Sequence, residues 1–305
     1  MLDVGRLQIL VHLSVEGTIA RTADVLGFTP SAVSQQLSKL ERELDVTLAI
    51  RTRTGVRLTE EGNVLVEQVK PVLAQFAAVE RKVRDIARQG AGQIRLGSFS
   101  SGALALVAPA IGQVRERHPG LRMSLVDVEP PGGLDALRDG RLDLLISHTY
   151  PGTRTPELDG LVRIDLLRDP LVAVVPAGWA SRGDRLSITE LAEMPLVCGG
   201  PGDANRTALD RAFFRYDLTP RVEFETRSYA VSLALAAAEA GATVMPRSTV
   251  RDPPHTVEVM TLEPIEVRSI FCLHRATSRE DSIRTFIERF TEICDELHAE
   301  WRDVV

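Results

Sequence analysis

The sequence predicts an α/β fold class with an all-α-type N-terminal part: a winged helix-turn-helix over residues 1–58, a long linker helix over 59–89, and a two-lobed α/β domain over 90–305. Three observations carry this. Two helices with capping residues are joined by only about three residues including a glycine, the spacing of a helix-turn-helix. Apolar residues then recur at alternating spacings of 4 and 3 from Leu65 to Ile86. Beyond Gly92, strand-like and helical runs alternate, which is the pattern of an α/β sheet.

The first helix is apolar at Leu7, Leu10 and Val11 and stops at Glu16-Gly17. Thr18 caps a second helix, Ile19 to Leu26, which ends at Gly27, a residue suited to the left-handed C′ position. Thr29 caps a third, with Pro30 at its first position, where a missing N–H costs nothing. At about 100° per residue, Val33, Leu37, Leu40 and Leu44 form its buried stripe. Ser31, Ser34, Gln35, Ser38, Lys39 and Arg42 occupy the opposite arc. A solvated face usually carries Glu–Lys pairs for i,i+4 support. Here the first two turns hold small hydroxyls and an amide, which allow close approach to a groove, and Gln can contact adenine bidentately. Next, Arg51, Arg53 and Arg57 surround Thr54-Gly55, which reads as a hairpin tip, with no acid between Asp45 and Glu60. Arginines on such arms reach phosphates or a minor groove.

Taken in order, Glu16-Gly17-Thr18-Ile19-Ala20, Ala23-Asp24-Val25-Leu26, Thr29-Pro30-Ser31-Ala32-Val33-Ser34-Gln35-Gln36-Leu37, Leu40-Glu41 and Arg51…Leu58-Thr59-Glu60-Glu61-Gly62 closely resemble LysR-type transcriptional regulators. The resemblance implies that Thr29, Pro30, Ser31, Ser34 and Gln35 read double-stranded DNA, and that Lys39, Arg51, Arg53 and Arg57 hold its backbone. Two departures stand out: Thr22 replaces an alanine common in the family, and Ala49 an aromatic.

Leu65, Val69, Val72, Phe76, Val79, Val83 and Ile86 form a heptad seam, with mostly polar residues or alanine elsewhere. The expectation is a dimerising helix, with a core helix within one chain as the alternative, and with Pro71 kinking or interrupting it. LysR-like proteins dimerise through a helix here, which implies a homodimer, or a dimer of dimers, on a roughly two-fold DNA site.

Further on, Ile94–Phe99, Leu121–Val128 and Leu142–Ile146 read as strands, Ala103–His118 and Leu134–Asp139 as helices, and Pro130-Pro131-Gly132-Gly133 as a turn. Leu166–Val175 and Arg268–His274 are strands able to cross between lobes, with Leu196–Cys198 and a helix near Val231–Ala240 between them. Lobe I then covers about 90–165 and 268–305, and lobe II about 166–267. The resemblance implies a periplasmic-binding-protein-like fold with a small-molecule effector between the lobes. Candidate contacts lie at strand ends. Ser98, Phe99, Ser100 and Ser101 offer hydroxyls and first-turn N–H groups to a carboxylate or other anion. Ser147 and His148 end the buried strand, and Gly199, Asn205 and Thr226 belong to second-lobe loops. No cofactor or metal is expected, and RNA polymerase is a partner if the protein activates.

Composition bounds the rest. Hydrophobic residues at 44% and charged residues at 26% exclude a disordered or fibrous chain. The net charge of −6 is unusual for a DNA binder, but residues 1–89 hold 12 basic and 11 acidic residues, against 24 and 31 in the remainder. Cys198, Cys272 and Cys294 form no CxxC pair, and no signal peptide or apolar run of ~20 residues is present, so a cytoplasmic protein with no membrane partner is expected. Enzymatic activity is not expected, since GxSxG, HExxH, GxGxxG and the P-loop pattern are all absent. A cysteine-based redox response centred on Cys198 is the alternative mode of regulation.

Overall fold

The computed structural model describes residues 2–301 except 53–54, 88–92, 152, 154–156, 181–182, 265 and 279–280, and only the backbone at 78, 81–82 and 84–87. The chain forms two compact units: residues 1–91 with Asp135–Arg141, and residues 92–134 with 142–305.

In the first unit, helices α1 (Val4–Glu16), α2 (Ile19–Leu26) and α3 (Pro30–Leu44) begin at side-chain caps. Asp3, Thr18 and Thr29 accept from the backbone N–H groups of Arg6, Arg21 and Ala32 respectively. Gly17 and Gly27 close α1 and α2 in the left-handed conformation, and Asp45 closes α3. Leu7, Leu10 and Leu13 of α1 pack on Leu37 and Leu40 of α3, while Val33 meets Ile9 and Ala23. Thr22 is fully buried, and its hydroxyl donates to the Thr18 carbonyl at 2.8 Å, so the extra oxygen is satisfied inside its own helix.

Strands β1 (Ala49–Thr52) and β2 (Gly55–Leu58) form the antiparallel wing. The Glu41 carboxylate accepts from the N–H groups of Leu48 and Ala49 at 2.9 and 3.3 Å, tying the recognition helix to the wing's entry. At the far end, Val56 N–H donates to the Gly17 carbonyl at 2.8 Å.

Of the expected kink or interruption at Pro71, the interruption does not occur: helix α4 (Glu60–Ala87) continues through it. It also divides the heptad seam. Val66 and Val69 are buried against α1, with Leu65 partly buried beside them. Val69 and Leu65 are therefore corrected from seam to intrachain core, because α1 covers the first turns of α4. Val72, Phe76, Val79 and Val83 remain exposed, by 45–63%. Of Ile86 only the backbone is described.

The second unit is built on one ten-stranded hydrogen-bonded sheet, with eight strands along a single path and two branching from it. In lobe I, β3 (Gln93–Ser98) lies parallel to both β4 (Arg122–Asp127) and β5 (Leu144–Thr149). β12 (Val267–Arg275) runs antiparallel to β5 and to the first part of β6 (Leu161–Pro176). The last residues of β6 enter lobe II, between β10 (Ala242–Pro246) and β11 (Val257–Glu263). Beyond β10 lie β8 (Pro195–Cys198) and β9 (Arg221–Glu225), while β7 (Arg185–Ser187) pairs with β11. A single 16-residue strand thus belongs to both lobes.

Helix α5 (Ser100–Gly102) leads through a π turn, Ala103–Val107, into α6 (Ala108–Arg117). Residues 130–133, expected as a turn, are the first turn of α7 (Pro130–Arg138), where proline's fixed φ suits a helix start. Helices α8 (Ile188–Ala192), α9 (Ala204–Phe214) and α10 (Tyr229–Ala237) serve lobe II. α11 (Asp281–Glu300) covers lobe I through Phe286, Phe290 and Ile293.

Candidate nucleic-acid interface and interlobe site

The first unit presents α3 as the sequence anticipates. Val33, Leu37 and Leu40 are buried, while Thr29, Pro30, Ser31, Gln35, Ser38 and Lys39 are exposed and Ser34 is half-buried. Two neighbouring amides differ. Gln36 accepts from Arg6 Nε at 3.2 Å and is held against α1, whereas Gln35 stands on the open arc. The Thr29 and Ser31 hydroxyls lie 3.1 Å apart at the helix start, partly occupied by capping.

Both described wing arginines are exposed, but the register separates them. Ile50 pairs with Arg57, and Arg51 with Val56, so Arg51 and Arg57 lie on opposite faces of the ribbon. Arg53 lies outside the described residues.

In the second unit the interlobe candidates gather at strand ends, though their side chains are engaged differently from expectation. The buried Ser98 hydroxyl donates to the Phe99 carbonyl at 3.1 Å. Ser100 donates to Asp127 at 2.8 Å, and Ser101 accepts from Arg268 Nη1 at 2.9 Å. The hydroxyls expected to face an anion are therefore turned towards protein partners. Phe99 is buried and packs edge-on against His148, with ring centroids 4.4 Å apart, and His148 packs likewise on Tyr150 at 5.4 Å. Burial, reinforced by Arg268, pushes the His148 imidazole down to about 3. Its Nδ1 and the Ser147 hydroxyl have no hydrogen-bond partner among the described residues.

On the lobe II side, Asn205 Nδ2 donates to the Val244 carbonyl at 3.1 Å, leaving Oδ1 without a partner among the described residues. Thr226 N–H donates to the Cys198 carbonyl at 2.9 Å. Gly199 packs directly on Asp203, where a Cβ would come within 2.5 Å of Oδ2. Arg227 pairs with Asp203 at 2.8 Å.

Four residues here, Arg268, Asp169, Tyr150 and Glu129, were missed from sequence. Arg268 and Asp169, both fully buried, form an ion pair at 2.6 Å. Burial, the largest single influence, lowers the Arg268 pKa, but Asp169, Tyr150 and Tyr229 together outweigh it, so the net shift is upward. Tyr150 and Tyr229 bring their hydroxyls within 3.4 Å, and burial raises the Tyr229 phenol well above its ordinary range. Glu129 is raised by burial and by the nearby Asp127 and Asp203 carboxylates. A charge directly beside an apolar strand run, Asp169 before Leu171–Val175 and Arg268 before Ile270–Leu273, was the available signal.

The three cysteines lie in apolar surroundings. All three are free and buried, Cys198 in the lobe II core and Cys272 and Cys294 in the lobe I core. Burial pushes the Cys272 and Cys294 thiols up to about 12 and raises Cys198 despite Arg206 beside it. Reactive thiols need the opposite shift.

Residues 4–63 match the family model for bacterial regulatory helix-turn-helix proteins of the lysR family, and residues 87–295 match the LysR substrate binding domain. The chain belongs to the LysR family of transcriptional regulators. Among relatives of this LysR-type regulator, the nitrogen assimilation regulatory protein nac of Klebsiella aerogenes is 29% identical over 251 residues, 82% of this chain and 80% of that protein. The small neutral protease regulatory protein of Streptomyces lividans is 30% identical over 280 residues, 90% of this chain and 79% of that protein. Full-length OxyR from Pseudomonas aeruginosa shares the fold, with a TM-score of 0.66, 23% identity and 95% coverage of both chains. CbnR, solved in complex with its target DNA, gives a TM-score of 0.61 at 18% identity, covering 96% of this chain and all of the other. Among the described residues, no helix of this regulator is long and apolar enough to cross a membrane.

Proposed function

We propose that this LysR-family regulator binds double-stranded DNA as a homodimer or dimer of dimers, under control of a small molecule bound between its lobes. Ser31, Ser34 and Gln35 contact base edges, with Thr29 and Pro30 at the groove entrance. Lys39, Arg51, Arg53 and Arg57 hold phosphates. The observation that carries this is the capped recognition helix, which buries one apolar stripe and leaves a short-chained polar arc open beside a basic wing. The exposed Val72, Phe76, Val79 and Val83 of α4 supply the pairing face. The effector meets residues at the strand ends, Ser98 to Ser101, Ser147 and His148 from one lobe and Gly199, Asn205 and Thr226 from the other. The protein acts without enzymatic turnover, in the cytoplasm, and engages RNA polymerase when it activates.

Fluorescence anisotropy on DNA flanking its own gene tests the DNA roles. Arg51→Ala weakens specific and non-specific binding alike and reduces the salt slope by about 1, because a phosphate contact is lost. Gln35→Ala instead changes base preference, at about 1–3 kcal/mol for the affected position. Unchanged base preference in Gln35→Ala overturns the assignment of readout. For the effector, a thermal-shift panel of small metabolites identifies a stabilising ligand. Stabilisation that survives both Ser100→Ala and Thr226→Ala places the site elsewhere.

A further inference from the structure

Asp169 and Arg268 are direct partners in the β6–β12 register, one step from the point where β6 changes lobes. Pro170 still pairs with Val267 of β12, and Leu171 already pairs with Pro246 of β10. Neither side chain is more than 1% exposed, and together they reach into both lobes. Arg268 Nη1 donates at 2.9 Å to Ser101 in α5, and Nη2 donates at 2.6 Å to Asp169 Oδ2 and at 3.3 Å to the Ser248 hydroxyl. Asp169 in turn accepts the Ser248 hydroxyl at 2.6 Å and the Ser248 N–H at 3.1 Å. Ser248 lies in the 3-10 turn Arg247–Thr249 that follows β10 in lobe II. The result is one buried line from the Ser101 hydroxyl of lobe I to the Ser248 hydroxyl of lobe II, carried by the Arg268–Asp169 pair, both members of which contact Ser248.

A buried ion pair adds little net stability over apolar residues of the same shape, but neither partner can be left alone without a large penalty. The pair therefore stays together while its terminal hydroxyls can exchange partners at small cost. Arg268 also keeps an Nε–H with no partner among the described residues, so its guanidinium has a spare donor for a second arrangement.

We propose that these four residues are the joint that couples the lobes, with Arg268 and Asp169 as positioning residues. The proposal rests on the effector reading, because Ser101 belongs to the stretch that meets the ligand. A ligand that takes the Ser101 hydroxyl frees Arg268 Nη1, shifts the guanidinium on Asp169, and alters the hold on Ser248 in the other lobe. Coupling of this kind needs a two-state element that both ends bias, and the shared carboxylate supplies it.

The test is ligand-free and uses the full chain. Spin labels are placed on cysteines introduced at exposed Glu116 in α6 and Asp184 in lobe II, and labelled protein is diluted with excess unlabelled protein. The three native cysteines are buried and stay unlabelled. Ser101→Ala and Ser248→Ala should each broaden the interlobe distance distribution, and the double variant should be no broader than the broader single. Ser101→Thr, which keeps the hydroxyl, should restore the parent width. Ser232→Ala removes a buried hydroxyl outside the line and should leave the width unchanged. The joint is refuted if either end variant keeps the parent width, if the double broadens by the sum of the singles, or if Ser232→Ala broadens equally. Any of these results leaves the effector reading standing, since the thermal-shift panel tests that separately.

Discussion

Replacing Gly55 by alanine tests whether DNA binding depends on a docked wing. Gly55 has φ +150°, and a Cβ there would lie 2.4 Å from the Gly17 carbonyl oxygen and 3.1 Å from Thr18 Cγ2. That same carbonyl accepts the Val56 N–H that pins the wing to the α1–α2 turn. Gly17 cannot yield easily, because it is the left-handed C-cap of α1, with its own N–H bonded to Leu13. The methyl therefore fits only if the wing lifts. The lost hydrogen bond costs about 1 kcal/mol, and holding a non-glycine residue at this φ costs about 1–3 kcal/mol more. Because only the hairpin opens, the helical core around Leu10, Leu13 and Leu40 keeps the fold. The penalty then falls on redocking the wing at the DNA, which is about 30-fold or more in Kd at 1.4 kcal/mol per decade. Anisotropy titration gives the affinity, and circular-dichroism melts give the stability. Gly17→Ala is the control. It also has positive φ but nothing within 4 Å of its Cβ, so it costs about 1 kcal/mol of stability and spares the affinity of the folded fraction. Gly55→Ala binding DNA within about threefold of wild type refutes the docked-wing argument.

Three further outcomes follow from burial and exposure. His148 titrates near 3 when folded against 6.5 when unfolded, so between those values the unfolded chain holds the extra proton and stability rises with pH. Wild type then loses ~2 kcal/mol from this residue between pH 7 and pH 5, and His148→Phe flattens that part of the urea-unfolding profile, whereas identical slopes would sink the claim. The thiols of Cys198, Cys272 and Cys294 should all resist Ellman's reagent at pH 8 in native protein and all react in denaturant, and a fast native thiol would reopen the redox alternative. Phe76→Asp, on the exposed α4 face, should cost about 2 kcal/mol per protomer in dimerisation and raise the monomer fraction on dilution in sedimentation. An unchanged mass at dilution would move the pairing face elsewhere.

The first unit was legible because its determinants are local. Asp3, Thr18 and Thr29 cap N–H groups three residues ahead, and Gly17 and Gly27 close the turns they follow. The α4 seam was only half legible. Its spacing does not reveal that α1 covers Val69 and leaves Val72 and Phe76 open, because that depends on where another helix lies. At Pro71 the local signal left a kink and an interruption both open, and the helix continues through it. At Pro130 a turn-like composition serves as a helix start.

The interlobe side chains were the least legible, and sequence separation explains it. Ser100 finds its acceptor 27 residues away in Asp127, and Ser101 its donor 167 residues away in Arg268. Local reading supplied hydroxyls at the start of a helix and inferred an anion. The fold commits those hydroxyls to a carboxylate and to a guanidinium that Asp169 already neutralises. Glu129, beside Asp127 and Asp203, adds further negative charge, and partial desolvation together with those neighbours raises its proton affinity. A carboxylate entering here finds no uncompensated cation in this group, because Arg227 is paired with Asp203 and Arg268 with Asp169. On the proposed reading, an effector is therefore held by hydrogen bonds, exchanged at the Ser101 hydroxyl and made anew to the Ser147 hydroxyl, His148 Nδ1 and Asn205 Oδ1, rather than by charge attraction.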